Sequence, residues 1–375
     1  MTIQGNPPGP FMREALRLAE RGRGTTSPNP MVGAVVVLGG RVIGRGWHRR
    51  AGEPHAEAIA LEEAGEKARG AALYVTLEPC CHRGRTGPCT DRILEAGIVR
   101  VNAATIDPYP EVCGLGIDRL REAGVRVEVG EGEKEALRLN EAFFLALREG
   151  RPWVDLKMAA TLDGKIADGL GVSQWISGEE SRKVVHHLRW GTDAVIAGIG
   201  TVLVDDPLLT ARRRGSTREP LRVLLDGDLR TPLSARTLRE ADAARVRIAA
   251  MESAPRSRKS ALEERGATVW TFPAAPDGEV PLRAVLERLH GEGARRVLVE
   301  GGGVVAGSFL RERLVDRIHL FYAPKLLGRG KDLFPGLGDL ALGQAMPMRI
   351  EKVRRRGADL EVVLEPERES CSPVS

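Results

Sequence analysis

The chain has 375 residues, of which 42% are hydrophobic and 29% charged, and a formal net charge of +5. This length suggests two domains, and the composition is that of a globular protein rather than a disordered or fibrous one. No apolar run approaches the roughly eighteen residues of a membrane span, and the N-terminal segment lacks the apolar core of a signal peptide. Arginines are spread along the chain apart from Arg212-Arg213-Arg214, which argues against a dedicated nucleic-acid binder.

The first part of the chain alternates helical and strand patterns. Two strands within residues 31–48 are joined by Gly39-Gly40, a β-hairpin signal. Pro54 suits the first position of the following helix, because an N–H there would have no partner. The other patterns predict helices at 11–22, 90–98 and 116–125, strands at 71–79, 100–107 and 126–130, and one amphipathic helix at 133–150.

A second alternating set follows the break at Gly150-Arg151-Pro152. Its strand patterns lie at 153–161, 193–198, 220–228, 245–250, 268–272 and 295–300, and its helical patterns include 177–192 and 307–316. Residues 317–327 and 349–366 indicate a closing antiparallel part. Alternation of strands and helices predicts an α/β fold in both halves. We therefore expect domains at 1–150 and 151–366, and a loose tail at 367–375.

Three of the five cysteines fall within ten residues, at Cys80, Cys81 and Cys89. This spacing is poor for a disulfide framework and good for a metal site, which indicates a reducing cytoplasm. His55 with Cys80 and Cys89 would give three ligands and an open fourth position, the pattern of a catalytic zinc. Glu57, two residues from His55, could move protons to and from the activated water. This set predicts hydrolytic deamination of a ring carbon.

A closed structural zinc is the alternative for the same residues. Cys81 or His82 could supply a fourth ligand beside Cys80, and a closed tetrahedron would be inert. The placement of His55 and Glu57 has no purpose in such a site, so the catalytic interpretation is favoured. An ordinary core rich in Cys and His is favoured less than either metal site.

The segments TSPNPMVGAVVV, AGEPHAEAIAL and VTLEPCCHRGRTGPCTDRI resemble the deaminase half of the bifunctional riboflavin-biosynthesis deaminase/reductase family. The resemblance implies a cytidine-deaminase-like α/β/α domain with zinc on His55, Cys80 and Cys89, and Glu57 as the proton shuttle. It also implies that Asn29 binds the pyrimidine. The chain has Cys81, Arg83 and Tyr109 where the family usually has Ser, His and Asn.

A Gly-rich turn, RRVLVEGGGVVAGSFL, lies between a strand and a helix in the second half. Such a turn can approach a phosphate, although alone it is a weak signal. The dinucleotide fingerprint G-x-G-x-x-G is absent, because Gly198-Ile199-Gly200 continues with Thr201. The segments LKMAATLDGKIA, SQWIS, LRWGTDAVIAGIGTVLVDDPLLTAR and APKLLG resemble the reductase half of the same family, which implies a dihydrofolate-reductase-like domain that binds NADPH.

The resemblance also implies residues for the reductase site. The cofactor positions are Ala159, Trp175, Thr201, Asp205, Gly227, Gly302, Gly303, Val304, Val305, Ala306, Gly307 and Ser308. The substrate positions are Lys157, Ser173, Arg189, Leu209, Arg212 and Glu300. Among these, Arg189 and Arg212 suit a phosphate, and Glu300 can accept hydrogen bonds from sugar hydroxyls. We expect Asp205 to handle protons or to position the substrate, and Asp206 to be a turn residue.

The family implies two reactions on one phosphorylated pyrimidine. Zinc hydroxide would deaminate 2,5-diamino-6-(5-phosphoribosylamino)pyrimidin-4(3H)-one, and NADPH would reduce the ribosyl group to ribityl, giving 5-amino-6-(5-phosphoribitylamino)uracil. A homodimer or homotetramer without nucleic-acid or membrane partners is expected. The alternatives are a nucleic-acid base deaminase, disfavoured by 4% aromatic content, and a non-catalytic metal-binding module.

Overall fold

In the computed structural model the chain divides into two compact units, residues 1–150 and 151–375. The structure describes residues 6–81, 87–108, 113–212, 218–239, 243–275 and 278–367. The sequence features outside these ranges are His82, Arg83, Tyr109, Arg213, Arg214 and residues 368–375 with Cys371. None of the described helices is long and apolar enough to cross a bilayer.

The first unit has a five-stranded sheet of order β2-β1-β3-β4-β5. Its strands are β1 (Gly33–Leu38), β2 (Arg41–Trp47), β3 (Ala72–Val75), β4 (Arg100–Ala103) and β5 (Arg126–Val129). Its helices are α1 (Pro10–Ala19), α2 (Ala56–Ala64), α3 (Cys89–Glu95), α4 (Leu115–Glu122), α5 (Glu133–Leu139) and α6 (Glu141–Glu149). The expected β1–β2 hairpin is antiparallel, and β3, β4 and β5 are parallel.

Helices cover both faces of this sheet. On β1, Ala34 and Val36 pack with α2, α3 and α4, whereas Val35 and Val37 pack with α1 and α5. Both sets of side chains are buried, which explains why β1 is apolar throughout instead of alternating. The unit is therefore a three-layer α/β/α domain.

Three details of the first unit differ from the sequence prediction. The second helix begins at Ala56, so Pro54 precedes it and His55 is its N-cap. The third strand ends at Val75, which leaves Cys80 in a connecting segment. The single helix expected at 133–150 is broken at Asn140, whose amide bonds both backbone groups of Met31 at 2.8 and 2.9 Å.

The second unit has a nine-stranded sheet of order β11-β10-β9-β8-β12-β6-β13-β16-β15, and a two-stranded sheet of β14 and β7. The strands are β6 (Trp153–Thr161), β7 (Lys165–Asp168), β8 (Ala194–Gly198), β9 (Leu221–Leu225), β10 (Val246–Met251), β11 (Thr268–Phe272), β12 (Arg296–Val299), β13 (Arg317–Ala323), β14 (Gly330–Asp332), β15 (Met348–Arg356) and β16 (Asp359–Pro366). The helices are α7 (Glu179–Trp190), α8 (Ile199–Asp205), α9 (Arg236–Arg239), α10 (Arg256–Glu264), α11 (Leu282–Gly291) and α12 (Gly303–Arg311).

Seven strands of the large sheet are parallel, and β16 and β15 close it in antiparallel pairing. One apolar core packs α11 and α12 on one face, and a second core packs α8 and α10 on the other. The carboxyl ends of the parallel strands meet at one edge of the sheet, where ligands bind in folds of this kind.

Two helices of this unit differ from the sequence prediction. The helix α8 follows β8 directly, where no helix was predicted, and Asp205 is its last residue. The Gly-rich turn after β12 forms the first turns of α12, which begins at Gly303. Both segments begin with Gly and β-branched residues, Ile-Gly-Thr-Val in α8 and Gly-Val-Val in α12, which are poor helix formers and hide the start of each helix.

Candidate active sites

Three side chains of the first unit converge as a candidate metal centre. The ligand atoms of His55, Cys80 and Cys89 all lie within 4.8 Å of one another. Nδ1 of His55 lies 3.5 Å from the Sγ of Cys80 and 3.3 Å from the Sγ of Cys89. The sequence prediction of these three ligands thus corresponds to one compact cluster.

The three ligand residues lie at the N-terminus of α2, in the segment after β3 and at the first residue of α3. His55 caps α2, and α2 lies directly on β2 because β2 has glycines at the contact. A Cβ atom built on Gly46 would lie 2.0 Å from the carbonyl oxygen of Ala56. Cys89 begins α3, and its N–H donates to the Sγ of Cys80 at 3.5 Å. The loop carrying Cys80 is thereby tied to the start of α3.

The electrostatics of this cluster favour a thiolate. Hydrogen bonding from Cys89 lowers the pKa of Cys80 to about 4, and the Cys80 hydrogen bond raises the pKa of His55 to about 9. A thiolate is the form that binds a cation. Cys81, which the structure also describes, is not part of this group of ligands. One imidazole and two thiolates fit a three-ligand zinc with an open position.

Glu57 is the second residue of α2 and lies close to the cluster. Its side chain is buried, with 3% of the residue exposed. Burial raises the pKa of its carboxyl, against the opposing effect of His55. A raised pKa makes the ionised carboxyl a stronger proton acceptor, as a general base requires.

Asn29 is held beside the cluster by His48, a residue that the sequence analysis missed. The Nδ2 of Asn29 lies 3.1 Å from the Nε2 of His48, whose Nδ1 lies 3.2 Å from the carbonyl oxygen of Pro54. Burial lowers the pKa of His48, so its neutral ring donates to Pro54 and accepts from Asn29. The rings of His48 and His55 meet edge to face with centroids 5.5 Å apart.

Glu78 is a second residue that the sequence analysis missed. Its buried carboxylate accepts four backbone N–H bonds, from Asp107, Gly114, Gly116 and Ile117, at 2.9 to 3.2 Å. These bonds tie Asp107 and the start of α4 to the segment that connects β3 to Cys80. The only signal in the sequence is an acid inside the otherwise apolar stretch before Pro79.

A cleft of about 1400 Å³ opens at the carboxyl ends of the strands in the second unit. The predicted residues that line it are Lys157, Ala159, Ser173, Trp175, Arg189, Thr201, Asp205, Leu209, Arg212, Gly227, Glu300, Gly302, Gly303, Val304, Val305 and Ser308. Ala306 and Gly307 do not line it. Both are buried on the inner side of α12, where a Cβ on Gly307 would lie 2.4 Å from the backbone of Gly336.

Arg189, Lys157 and Glu300 form a charge cluster in this cleft. Two guanidinium nitrogens of Arg189 bond the two carboxylate oxygens of Glu300, and the ammonium of Lys157 lies 4.0 Å from the same carboxylate. Burial alone would raise the pKa of Glu300, but Arg189 and Lys157 hold it below its usual value. Burial lowers the pKa of Lys157.

Asp205, at the end of α8, faces the cleft from another side. Its Oδ1 accepts from the Oγ of Ser173 at 3.0 Å and from the Nε2 of Gln174 at 3.3 Å. Asp206 follows with φ of 39°, and its carboxylate accepts from the N–H of Arg236 at 2.8 Å. Asp206 therefore serves the turn, and Asp205 is the acid that is available to the cleft.

Trp175 is 65% exposed and lines the cleft, so it is not a packing residue of the core. The guanidinium carbon of Arg182 lies 4.8 Å from its ring centroid. Lys325 donates to the carbonyl oxygens of Trp175 and Ile176 at 2.9 and 3.1 Å. These contacts hold the ring at the mouth of the cleft.

His186 on α7 also lines the cleft. Its Nδ1 accepts from the N–H of Arg212 at 3.3 Å. Burial lowers the pKa of His186, which keeps the ring neutral and able to accept. Neither His186 nor the adjacent His187 carries a signal for this role in the sequence of α7.

Two family models match the chain, one on each unit. Residues 9–105 match the cytidine and deoxycytidylate deaminase zinc-binding region, and residues 152–362 match the RibD C-terminal domain. These matches agree with the α/β/α and reductase folds expected from the sequence.

Relatives match over nearly the whole length of the chain. The riboflavin biosynthesis protein RibD of Aquifex aeolicus is 45% identical over 352 residues, which cover 94% of this chain and 96% of the relative. The structure of Acinetobacter baumannii RibD, form 1, superposes with a TM-score of 0.87 at 37% identity, covering 96% of this chain and 98% of that one. The diaminohydroxyphosphoribosylaminopyrimidine deaminase/5-amino-6-(5-phosphoribosylamino)uracil reductase of Thermotoga maritima gives 0.83 at 37% identity, covering 95% and 97%.

Proposed function

Since the chain belongs to the RibD family of riboflavin biosynthesis proteins, we propose that it catalyses two consecutive reactions. It deaminates 2,5-diamino-6-(5-phosphoribosylamino)pyrimidin-4(3H)-one and then reduces the ribosyl group to ribityl, giving 5-amino-6-(5-phosphoribitylamino)uracil. The observation that carries this proposal is the pairing of a three-ligand cluster beside Glu57 in one unit with a charged cleft in the other.

In the deaminase unit, His55, Cys80 and Cys89 would hold zinc, which when bound supplies a water that is activated at neutral pH. Glu57 takes a proton from that water and delivers one to the leaving amine, which departs as ammonia. Asn29, fixed by His48, orients the pyrimidine ring. Because Glu57 is buried, bulk water has little access to its carboxyl group and cannot take the proton that it carries.

In the reductase unit, NADPH would lie along the cleft and supply the hydride. Its pyrophosphate suits the N-terminus of α12 at Gly302 and Gly303, where backbone N–H groups are available. Trp175 and Ala159 would contact its reacting end. Thr201 and Gly227 line the continuation of the cleft.

The hydride goes to the former anomeric carbon, and the ring oxygen that leaves this carbon needs a proton. We assign proton handling or substrate positioning to Asp205, which Ser173 and Gln174 hold in place. Lys157 supplies a cation next to Glu300, whose carboxylate can accept from sugar hydroxyls.

The two candidate phosphate residues differ in their surroundings. Because Arg189 is engaged by Glu300, its role is to orient that carboxylate. Arg212, positioned through its N–H by His186, is the better partner for the substrate phosphate. We place the enzyme in the reducing cytoplasm, as a homodimer or homotetramer without nucleic-acid partners.

The test is an order-of-addition assay on zinc-loaded protein. The diaminopyrimidine substrate is supplied with and without NADPH, and ammonia and NADPH absorbance are followed together. Ammonia release without NADPH, and NADPH oxidation only after ammonia release, are expected. NADPH oxidation that precedes ammonia release would reverse the proposed order, and an absence of ammonia would remove the deaminase assignment.

A further inference from the structure

We propose that Lys325 is a positioning residue of the reduction, because it fixes the distance between two walls of the cleft. One wall is β6, with Lys157 and Ala159, and the other is the segment 173–177, with Trp175. Lys325 itself does not line the cleft. The inference rests on the proposed NADPH-dependent reduction and adds to it a residue outside the predicted cofactor and substrate positions.

The segment 173–177 lies between β7 and α7 and contains neither helix nor strand. Hydrogen bonds from other elements must therefore set its position. Asp205 holds its first two residues through their side chains. The backbone at its centre is held by Lys325, whose Nζ donates to the carbonyl oxygens of Trp175 and Ile176 at 2.9 and 3.1 Å. Lys325 thus bonds directly to the backbone that carries the Trp175 ring.

A second cation restrains the ring of Trp175. The guanidinium carbon of Arg182 on α7 lies 4.8 Å from the ring centroid, and its Nη1 donates to the carbonyl oxygen of Ser177 at 2.8 Å. Because the ring is largely exposed, packing against the core does not fix its orientation. Its place in the cleft therefore depends on Arg182 at the ring and on Lys325 at the backbone.

The backbone of Lys325 is itself anchored at the end of β6. Lys325 is the second residue after β13, which pairs with β6 in parallel register. Its carbonyl oxygen accepts from the N–H of Leu162, the residue after β6, at 2.9 Å. The carboxylate of Asp163 accepts from the N–H groups of Leu327 and Gly328 at 3.0 and 2.6 Å. The Lys325 side chain therefore reaches from one wall of the cleft to the other.

The alignment of hydride donor and acceptor depends on the distance between these walls. Productive geometry places the reacting atoms about 3–3.5 Å apart, and a misplacement of about 1 Å can cost about 100-fold in rate. Trp175 would contact the reacting end of NADPH, whereas the N-terminus of α12 would hold its pyrophosphate. Release of Trp175 from Lys325 should therefore slow the hydride step more than it weakens cofactor binding.

The experiment compares wild type with Lys325→Met, Lys325→Arg, Trp175→Ala and the double variant Lys325→Met/Trp175→Ala. Met keeps the length of the side chain without its donors, and Arg keeps donors. Single-turnover oxidation of NADPH by the deaminated intermediate gives the rate of the hydride step, steady-state kinetics give KM, and urea unfolding gives stability. Lys352→Met is the control, because Lys352 is an exposed lysine of the same unit that does not line the cleft.

We expect Lys325→Met to slow the hydride step by about 10- to 100-fold with little change in the KM for NADPH, and Lys325→Arg to recover most of the rate. In the Trp175→Ala background, Lys325→Met should add little further loss, because it acts through Trp175. The urea midpoint of Lys325→Met should match that of Lys352→Met. Equal losses with and without Trp175, a change in KM alone, or a rate loss that only follows the urea midpoint would overturn the inference.

A ligand-free measurement separates this inference from the proposed function. The fluorescence anisotropy decay of Trp175 is obtained as the difference between proteins with and without this residue. Lys325→Met should increase the fast local motion of the ring, and Lys325→Arg should not. If the wild type does not oxidise NADPH, the reductase proposal fails. The anisotropy then still decides whether Lys325 holds the ring, since an unchanged decay in Lys325→Met would overturn that role.

Discussion

Arg189 on α7 donates two parallel hydrogen bonds from its guanidinium to the carboxylate of Glu300, the residue that follows β12. Glu300 is 9% exposed, and the Lys157 ammonium lies 4.0 Å from the same carboxylate. One anion thus balances two cations in a partly desolvated cleft. The orientation of Glu300 toward the substrate depends on this balance.

Glu300→Gln should therefore damage both the stability and the activity of the second unit. Removing one partner of a buried ion pair leaves a charge without compensation, which costs about 3–5 kcal/mol. The loss of the carboxylate also lowers the pKa of Lys157 beyond the effect of burial. We expect a lower urea midpoint for this unit and a large fall in NADPH oxidation. Ammonia release by the first unit should persist.

The matched control for this prediction is Glu263→Gln, in an exposed pair with Lys259. An exposed pair contributes about 0–1 kcal/mol, so this variant should behave as wild type. If Glu300→Gln and Glu263→Gln shift the urea midpoint equally, the buried cluster does not stabilise the unit as argued.

Glu57→Gln should abolish ammonia release while leaving the metal bound. The amide cannot carry the proton, and the loss of a general acid–base group typically costs about 100- to 10,000-fold in rate. Zinc content should stay near that of wild type, because Glu57 is not one of the three clustered ligands. Elemental analysis and an ammonia assay measure the two quantities separately.

Two comparison variants sharpen the interpretation of Glu57→Gln. Cys80→Ser removes a ligand and should lose zinc and activity together, whereas Glu62→Gln, on the exposed side of α2, should lose neither. Ammonia release at the wild-type rate in Glu57→Gln would exclude Glu57 as the proton shuttle.

Glu78→Gln should loosen the segment that leads into α4. Its carboxylate accepts N–H bonds through both oxygens, from Gly114 at one and from Gly116 and Ile117 at the other. A Gln amide keeps one acceptor oxygen and puts an NH2 donor in place of the other, so the bonds to that oxygen are lost. We expect faster hydrogen exchange at these amides and a higher KM of the deaminase, with zinc retained. The exposed Glu66→Gln is the control. Unchanged exchange at all three amides would show that Glu78 does not hold this segment.

The sequence predicted the metal cluster well because its ligands belong to short local patterns. His55 and Glu57 lie within one turn, and Cys80 and Cys89 lie nine residues apart. Imidazole and thiolate groups share one metal chemistry, which links the two patterns across the 25 residues between His55 and Cys80. The order of the strands and helices was also evident, because buried parallel strands form distinct apolar runs.

The residues that support the sites were not predictable in the same way. His48 and Glu78 act through hydrogen bonds to segments 19 and 29 or more residues away, and His186 acts on a backbone 26 residues away. Such contacts leave no periodic signal. The break at Asn140 was missed for the same reason, since its amide is held by Met31, 109 residues earlier.

A buried histidine in the second unit should make the free energy of unfolding fall as the pH rises. His319 lies between two carboxylates, with its Nε2 3.7 Å from Asp155 and its Nδ1 3.4 Å from Glu361. Burial lowers the pKa of His319, but hydrogen bonding to Asp155 and Glu361 prevails and raises it above 6.5. The imidazolium is the form that donates from both nitrogens.

Because the pKa of His319 is higher in the folded state, its contribution to stability is complete below about pH 6.5 and is lost as pH rises through the folded value. Urea unfolding followed by tryptophan fluorescence should show the free energy of unfolding falling over this window. His319→Gln should flatten the slope. The control His290→Gln should leave it intact, because burial lowers the pKa of His290 and confines its effect to acid pH. An unchanged alkaline slope in His319→Gln would mean that another group controls this dependence.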